Sequence, residues 1–361
     1  MKILHVEGGR NFYGGAHQIV LLMEGLKARG IENVLACREG SDLALMAQPL
    51  AEIFDIRMEG DLDFGLIRRL HRVIKKSRPD LIHLHSRIGA DVMGGIAGRI
   101  AGIPIVHSRR QDNPESRLAV ALKYRLHDRV VAISEAIGQI LLSEGLPASK
   151  LRCVKDAVEI TPRVENPEQA WFRSTFGVLD GALSLGIVAQ LIPRKGHRLL
   201  LDALPAILEN HPNTRVFFFG KGPLEDVLKA AVQNLGLEGH VTLAGFRDDL
   251  DRILPCLDLI VHPALREGMG VSLLQASLAE VPIVASAVGG IPEAVKDGMT
   301  GLLVPPNDAE ALSSAILRLM ADPDERLRMG REGRRWVESQ FTADHMVEGN
   351  LAVYRELLRA H

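Results

Sequence analysis

Two stretches carry side chains whose types and spacing could do chemistry on an anion. In REGMGVSLLQAS (266–277) an acid, Glu267, stands against Gly268-Met269-Gly270-Val271 and the chain then enters an apolar run with helical spacing. A glycine-rich elbow ahead of a helix lets backbone N–H groups of the first turn point at an anion, and the helix N-terminus adds partial positive charge. The alternative is a plain loop-to-helix turn, with Glu267 favoured there by the helix dipole. In PRKG (193–196) the cations Arg194 and Lys195 occupy a second such turn. Further candidates lie in the first half: Gly8-Gly9, Gly14 and Gly15, the pair His83 and His85 on one face of a strand, His107 at a strand end, and Arg109, Arg110 and Arg117 in HSRRQDNPESR.

The elements that must hold these residues follow from periodicity. KILHV (2–6), NVLAC (33–37), DLIHLH (80–85), PIVHS (104–108) and RVVAIS (129–134) read as strands. Between them QIVLLMEGLKARG (18–30), FGLIRRLHRVIKKS (64–77) and ADVMGGIAGRIAG (90–102) repeat apolar residues at helical spacing. The second half restarts the rhythm with LSLGIVA (183–189), TRVFFFG (214–220), HVTLAG (240–245), LDLIVHP (257–263), PIVASA (282–287) and GLLVP (301–305). Strand–helix alternation predicts parallel sheets covered on both faces, so the expected fold class is α/β, two doubly wound Rossmann-like domains in tandem. A length of 361 residues agrees, since one core rarely grows past about 250–300 residues. The domains are expected at 1–165 and 166–341, with the amphipathic helix FTADHMVEGNLAVYRELLRAH (341–361) outside the second sheet. Ligands of such sheets bind beyond the C-terminal strand ends, the edge where Gly8-Gly9, Gly14-Gly15, His85, His107, Arg194-Lys195, Glu267 and Gly289-Gly290 fall, His85 being nearer its strand end than His83, and two facing domains would make a cleft there.

Composition excludes several classes. A net charge of −2 and 4% aromatic residues leave no stacking platform for nucleic acid. No apolar run approaches the roughly 20 residues of a spanning helix, and MKILHVEGGRN turns polar too early for a signal peptide, which predicts a cytoplasmic chain. Cys37, Cys153 and Cys256 have neither disulfide nor metal spacing and are expected to be buried or inert thiols. Charge is uneven: residues 1–160 carry 23 Lys and Arg against 19 Asp and Glu, and residues 161–361 carry 20 against 26. The segment LIRRLHRVIKKSR (66–78) has six basic residues and no acid, so it is either a solvated sheet-covering helix or a contact for anionic lipid at the inner face of the cytoplasmic membrane.

The stretches GGAHQIVLLMEGL, LIHLHS, AISEAI, AQLIPRKG, VFFFGKGP, VTLAGF, HPALREGMGVSLLQAS and SAVGGIPEAVKDGMTGLLVPPND occur in an order that resembles the retaining nucleotide-sugar glycosyltransferases of the GT-B fold, family 4 (group 1), over residues 1 to about 340. The resemblance implies that the first domain, completed by the C-terminal helix, binds an acceptor, and that the second binds a nucleoside diphosphate sugar, with UDP favoured. It implies catalytic roles for Glu267 (sugar hydroxyls), Lys195 (diphosphate) and His107 (close to the reacting sugar). Donor-binding positions would be Gln190, Arg194, Gly220, Phe246, Gly268, Met269, Gly270, Val271 and Gln275. Gly14, Gly15, His85, Arg109 and Arg110 would line the acceptor side, the arginines reading a phosphorylated or lipid-linked acceptor such as a lipopolysaccharide core or a polyprenyl diphosphate sugar. No cofactor or metal is then expected, because Lys195 and aimed N–H groups would balance the charge that develops on the leaving diphosphate. The implied reaction retains the anomeric configuration, the departing phosphate oxygen taking the acceptor proton, in cell-surface polysaccharide or lipopolysaccharide synthesis. Two positions depart from the family pattern: Ala189-Gln190-Leu191 replaces Gly-Arg-Leu, and Gln275 replaces a second glutamate. These departures keep open a weakly catalytic GT-B pseudoenzyme or nucleotide-binding partner subunit, and a nucleotide-sugar epimerase of the same fold is a third reading.

Overall fold

A computed structural model describes residues 1–12, 14–87 and 89–360. The chain divides into two compact units, Met1–Glu159 with Thr342–His361, and Ile160–Phe341.

Among its described residues the first unit holds seven parallel strands: β1 (Lys2–Glu7), β2 (Glu32–Arg38), β3 (Glu52–Ile56), β4 (Leu81–Leu84), β5 (Ile105–Arg109), β6 (Arg129–Ala132) and β7 (Leu151–Cys153). Their spatial order is β3-β2-β1-β4-β5-β6-β7, with the topological switch between β1 and β4. Register is fixed across that switch, with His5 opposite His83 and Leu4 opposite Ile82. β1 and β4 are buried on both faces because helices cover the sheet on either side, which is why they read as continuous apolar runs. β3 and β7 are absent from the sequence expectation. They form the two edges, and EIFDI with its two acids and the three-residue LRC contain no fully buried residue, so neither shows a strand's apolar signature.

The second unit has six parallel strands: β8 (Ser184–Val188), β9 (Arg215–Phe219), β10 (Val241–Gly245), β11 (Leu259–His262), β12 (Ile283–Ser286) and β13 (Gly301–Val304). The order is β10-β9-β8-β11-β12-β13, so the switch falls between β8 and β11. Its core joins Leu185, Ile187, Phe218, Leu259 and Val261 of the sheet to Leu200, Leu204, Leu312 and Ile316 of the covering helices.

The division falls at Glu159/Ile160, six residues before the expected 165/166. The reason is local: Arg163 pairs with Glu280 (2.8 Å), and the Thr161 carbonyl accepts from Arg334 Nη2 (2.6 Å), so residues 160–165 are tied to the second unit. The C-terminal helix Ala343–Ala360 packs on the first unit. Thr342 Oγ1 caps it by accepting from His345 N (3.2 Å), and Val347, Leu351 and Tyr354 bury against Leu22, Leu26 and Leu81. Among the described residues no helix is long and apolar enough to cross a membrane. Cys37 and Cys256 are buried, and burial pushes their thiols up to about 12 and about 11.

Candidate active site

The switch point of the second unit gathers polar and charged side chains from the loop after β8, the end of β11 and the loop that follows it. The turn after β8 ends in the short helix Pro193–Lys195, and Lys195 Nζ donates to Glu267 Oε2. His262, the last residue of β11, brings Nε2 within 2.8 Å of the same oxygen, and the Gly268 N–H donates to Oε1 at 3.1 Å. Burial opposes ionisation of Glu267, but the His262 hydrogen bond and the Lys195 charge overcome it and hold the carboxyl far below the usual range. His262 is itself fully buried, which keeps its ring neutral in spite of Glu267.

Glycine makes the convergence sterically possible. At Gly196 (φ 71°) a Cβ would lie 1.8 Å from the Pro263 carbonyl oxygen, and at Gly289 (φ 51°) one would lie 1.9 Å from that of Glu267. Both positions combine a left-handed backbone with contact against the loop that carries Glu267. Backbone bonds lock the arrangement: Leu265 N donates to Arg194 O (2.8 Å) and Gly290 N to Glu267 O (3.2 Å). From there Gly270 (φ 81°) opens the helix Val271–Leu278, whose Leu273, Leu274, Ala276 and Leu278 enter the core while Val271 and Gln275 stay half-buried.

The remaining donor-side candidates fall around this turn. Met269 is buried, and Arg194 and Gln190 are half-buried. Gly220 packs against the Ala189 carbonyl, and Phe246, just past β10, is 63% exposed. The Gly268 N–H, expected to face an anion, is engaged by Glu267. Sequence reasoning missed His262, which LDLIVHP presents as part of a strand, and His197, a buried ring that burial lowers to about 4 beside His262 and Lys195. Their signal was position at the strand-end edge rather than any motif.

The switch point of the first unit is polar in a different way. Glu7 ends β1 and accepts from Gly9 N (2.7 Å), while Gly8 N donates to Ser86 Oγ (2.7 Å) beyond β4. Arg110, just past β5, pairs with the buried Asp156. Burial pushes the Glu7 carboxyl up, and Gly9 N–H and the Arg110 charge offset part of that. Gly15, in the first turn of the helix Gly14–Ala28, leaves room for Arg110, whose Cδ would lie 3.7 Å from a Cβ there. The structure thus brings Gly15 and Arg110 together, with Glu7 as a carboxylate that sequence reasoning overlooked.

His85 joins a buried imidazole network. Its Nε2 lies 3.0 Å from His5 Nδ1, His5 Nε2 lies 3.2 Å from Asn33 Oδ1, and His83 sits between Tyr354 Oη (2.6 Å) and Ser108 Oγ (2.8 Å). Nitrogens of His5, His83 and His85 lie within 4.8 Å of one another, a spacing compatible with a cation, yet these hydrogen bonds already engage both nitrogens of His5 and of His83. Burial lowers His5 to about 4 and holds His83 and His85 well below the ordinary value.

His107 and Arg109 stand two apart on β5 and so share a face. That face is covered by the segment through the helix Arg117–Lys123 and the turn Tyr124–Leu126. The His107 ring stacks on His127 at 5.0 Å and lies 5.8 Å from Tyr124, and neither of its nitrogens has a hydrogen-bond partner among the described residues. Arg109 departs from the expectation of an anion reader: 1% exposed, it pairs with Glu115 (2.5 Å) and donates to the carbonyls of Gln111 (2.7 Å) and Asn113. Its charge is consumed in pinning its own loop.

Residues 177–336 match the family Glycosyl transferases group 1, and residues 13–161 match Glycosyltransferase Family 4. The chain is 26% identical over 304 residues (77% of each chain) to a 2-deoxystreptamine glucosyltransferase of Streptomyces kanamyceticus. It is 28% identical over 291 residues (74% of each) to a GDP-mannose-dependent alpha-(1-6)-phosphatidylinositol monomannoside mannosyltransferase of Mycolicibacterium smegmatis. Its fold is similar to that of Anabaena Alr3699/HepE, crystallised in complex with UDP, with a TM-score of 0.87 and 21% identity over 99% of this chain and 100% of that one.

Proposed function

Because this chain belongs to the group 1, family 4 glycosyltransferases, with their two-domain GT-B fold, we propose that it moves a sugar from a nucleoside diphosphate sugar, UDP-linked by preference, to a glycan or glycolipid acceptor with retention of configuration. The observation that carries this reading is the convergence of Lys195, His262 and Glu267 at the β8/β11 switch point. A diphosphate entering there would draw the Lys195 ammonium and the positive end of the helix Val271–Leu278, balancing charge as the sugar leaves without a metal ion. Glu267, kept ionised, would accept from sugar hydroxyls and favour positive charge at the anomeric carbon. The leaving phosphate oxygen would then take the acceptor proton on the same face.

UDP is preferred because a chain of this fold was crystallised with it. A glycolipid acceptor in cell-surface synthesis is supported by the relative that acts on phosphatidylinositol monomannoside, and by the surface of the first unit. There Arg68, Arg72, Lys75, Lys76 and Arg78 are exposed on and just after the helix Gly65–Ser77, beside Leu62 (83% exposed) and Phe64 (68%). Basic side chains flanked by exposed apolar ones suit an anionic membrane surface, each cation contributing about 1 kcal/mol. The acceptor would meet Glu7, Ser86, Gly15 and Arg110.

Hydrolysis of UDP-glucose and GDP-mannose, with water as acceptor, tests the reading. Lys195→Ala and Glu267→Ala should each lower turnover by about 100-fold or more. Unchanged turnover would remove the catalytic assignment and leave the binding-only reading that Gln190 and Gln275 motivate.

A further inference from the structure

We infer that His262 is a positioning residue that keeps Glu267 in place when Lys195 turns to the donor diphosphate, an inference that rests on reading the β8/β11 edge as a nucleotide-sugar site. Glu267 Oε2 faces two donors, Lys195 Nζ and His262 Nε2 (2.8 Å), and Oε1 accepts from the Gly268 N–H (3.1 Å). An ionised carboxylate can only accept, so the ring proton sits on Nε2 and Nδ1 is bare. That Nδ1 is buried and has no hydrogen-bond partner among the described residues, so nothing competes with Glu267 for the tautomer.

The two donors differ in how firmly they are held. Lysine is a point charge on a flexible four-carbon stem, and a diphosphate carries more charge than one carboxylate, so it competes well for the ammonium. The imidazole has two torsions, is 0% exposed, and stands at the end of a central strand. Once Lys195 has left, His262 and the Gly268 amide still hold one oxygen each, and the lone pair vacated on Oε2 opens to a sugar hydroxyl. The other charged or titratable groups facing His262 are Lys195 and Arg194, cations that cannot accept its N–H, and His197, a neutral ring neither of whose nitrogens has a hydrogen-bond partner among the described residues. Glu267 is therefore the anion this ring serves, and the nucleotide itself makes no demand on it.

The test compares wild type with His262→Gln, whose amide N–H reaches the position of Nε2, and with His262→Leu, which fills the space without a donor. Melting temperature with and without UDP and GDP reads nucleotide binding, and hydrolysis of UDP-glucose and GDP-mannose reads kcat and KM. Loss of a hydrogen bond to a charged group predicts that His262→Leu lowers kcat about 10–100-fold while the nucleotide-induced melting shift stays at the wild-type value. His262→Gln should return to within about fivefold of wild-type kcat. Should the leucine variant not fold, His262→Asn takes its place, because its amide stops short of the carboxylate, and the same loss is expected. Wild-type kcat in the leucine or asparagine variant overturns the inference, as does a folded glutamine variant no better than they are. If neither nucleotide shifts the wild-type protein, the donor-site reading fails and takes this inference with it, a result separate from the kinetic ones.

Discussion

The two units share a strand order around the switch point, 3-2-1-4-5-6 with one further strand in the first, yet they fill that point with different chemistry. The second unit packs three loops on one another through glycines and backbone bonds and leaves a lysine, a carboxylate and a histidine at the junction. Among its described residues the first unit places five buried imidazoles, His5, His83, His85, His107 and His127, in and beside its central strands, and sets Glu7 and Arg110 at the rim. A common scaffold fixes where a ligand can sit, and the loop residues decide what it can be. Fixed opposite charges held in preset geometry suit a diphosphate and its sugar. A rim where Arg110 is balanced by Asp156, with Arg109 withdrawn, suits hydroxyl groups better than phosphate.

That contrast can be broken most sharply at Lys195 and Glu267. Each alanine variant should lose about 100- to 1,000-fold in turnover, whereas Arg110→Ala should change acceptor KM and leave donor hydrolysis within about threefold. A loss of donor hydrolysis in Arg110→Ala as large as in Lys195→Ala would erase the division of labour. Next in size is Gly196→Ala. The left-handed backbone and the carbonyl 1.8 Å from the new Cβ predict a destabilisation of about 2–3 kcal/mol, read by urea unfolding, while Gly30→Ala (φ 72°, with nothing within 4 Å of its Cβ) should cost only about 1 kcal/mol.

Acid should separate the units. Burial lowers His5 and His127 in the first unit to about 4, and His197 in the second likewise. The folded state prefers these rings neutral, so their stabilising contribution is complete above the unfolded pKa of about 6.5 and is lost as pH falls through about 4. With more such rings, the first unit should weaken first. Both tryptophans, Trp171 and Trp336, belong to the second unit, so their fluorescence reports it alone while far-UV circular dichroism reports both. At pH 5 the dichroism transition should begin several degrees below the fluorescence transition, and at pH 8 the gap should narrow. The smallest effect is expected on the basic helix: Arg72→Glu with Lys75→Glu should weaken binding to anionic vesicles roughly tenfold or more, without affecting turnover of a soluble donor. Equal binding to neutral vesicles would dispose of the membrane contact.

Much of this was legible in the sequence, for reasons that also explain the gaps. Central strands such as LIHL and LIVH are buried on both faces and so announce themselves as apolar runs. The edge strands EIFDI and LRC bury little and do not. Lys195 and Glu267 were legible as candidates because a charge next to glycines at a strand end is a local pattern. His262 was hidden within a strand, and its role depends on a carboxylate that only the folded loop brings to it. Arg109 misled in the opposite direction: beside Arg110 it reads as a basic patch, and only the partner Glu115 and the covering helix show that its charge is already used. Alternation along β5 separates the two arginines, one turned to the covered face and the next clear of the strand.

The central claim is that the second unit binds a nucleoside diphosphate through Lys195. The most direct measurement is the melting temperature of wild type and Lys195→Ala with saturating UDP and GDP. The account predicts that one nucleotide, UDP by preference, stabilises the wild type, by about 2.7 kcal/mol at 100 times its dissociation constant, and that the variant loses most of that gain. An equal rise in both proteins, or none in either, would contradict it.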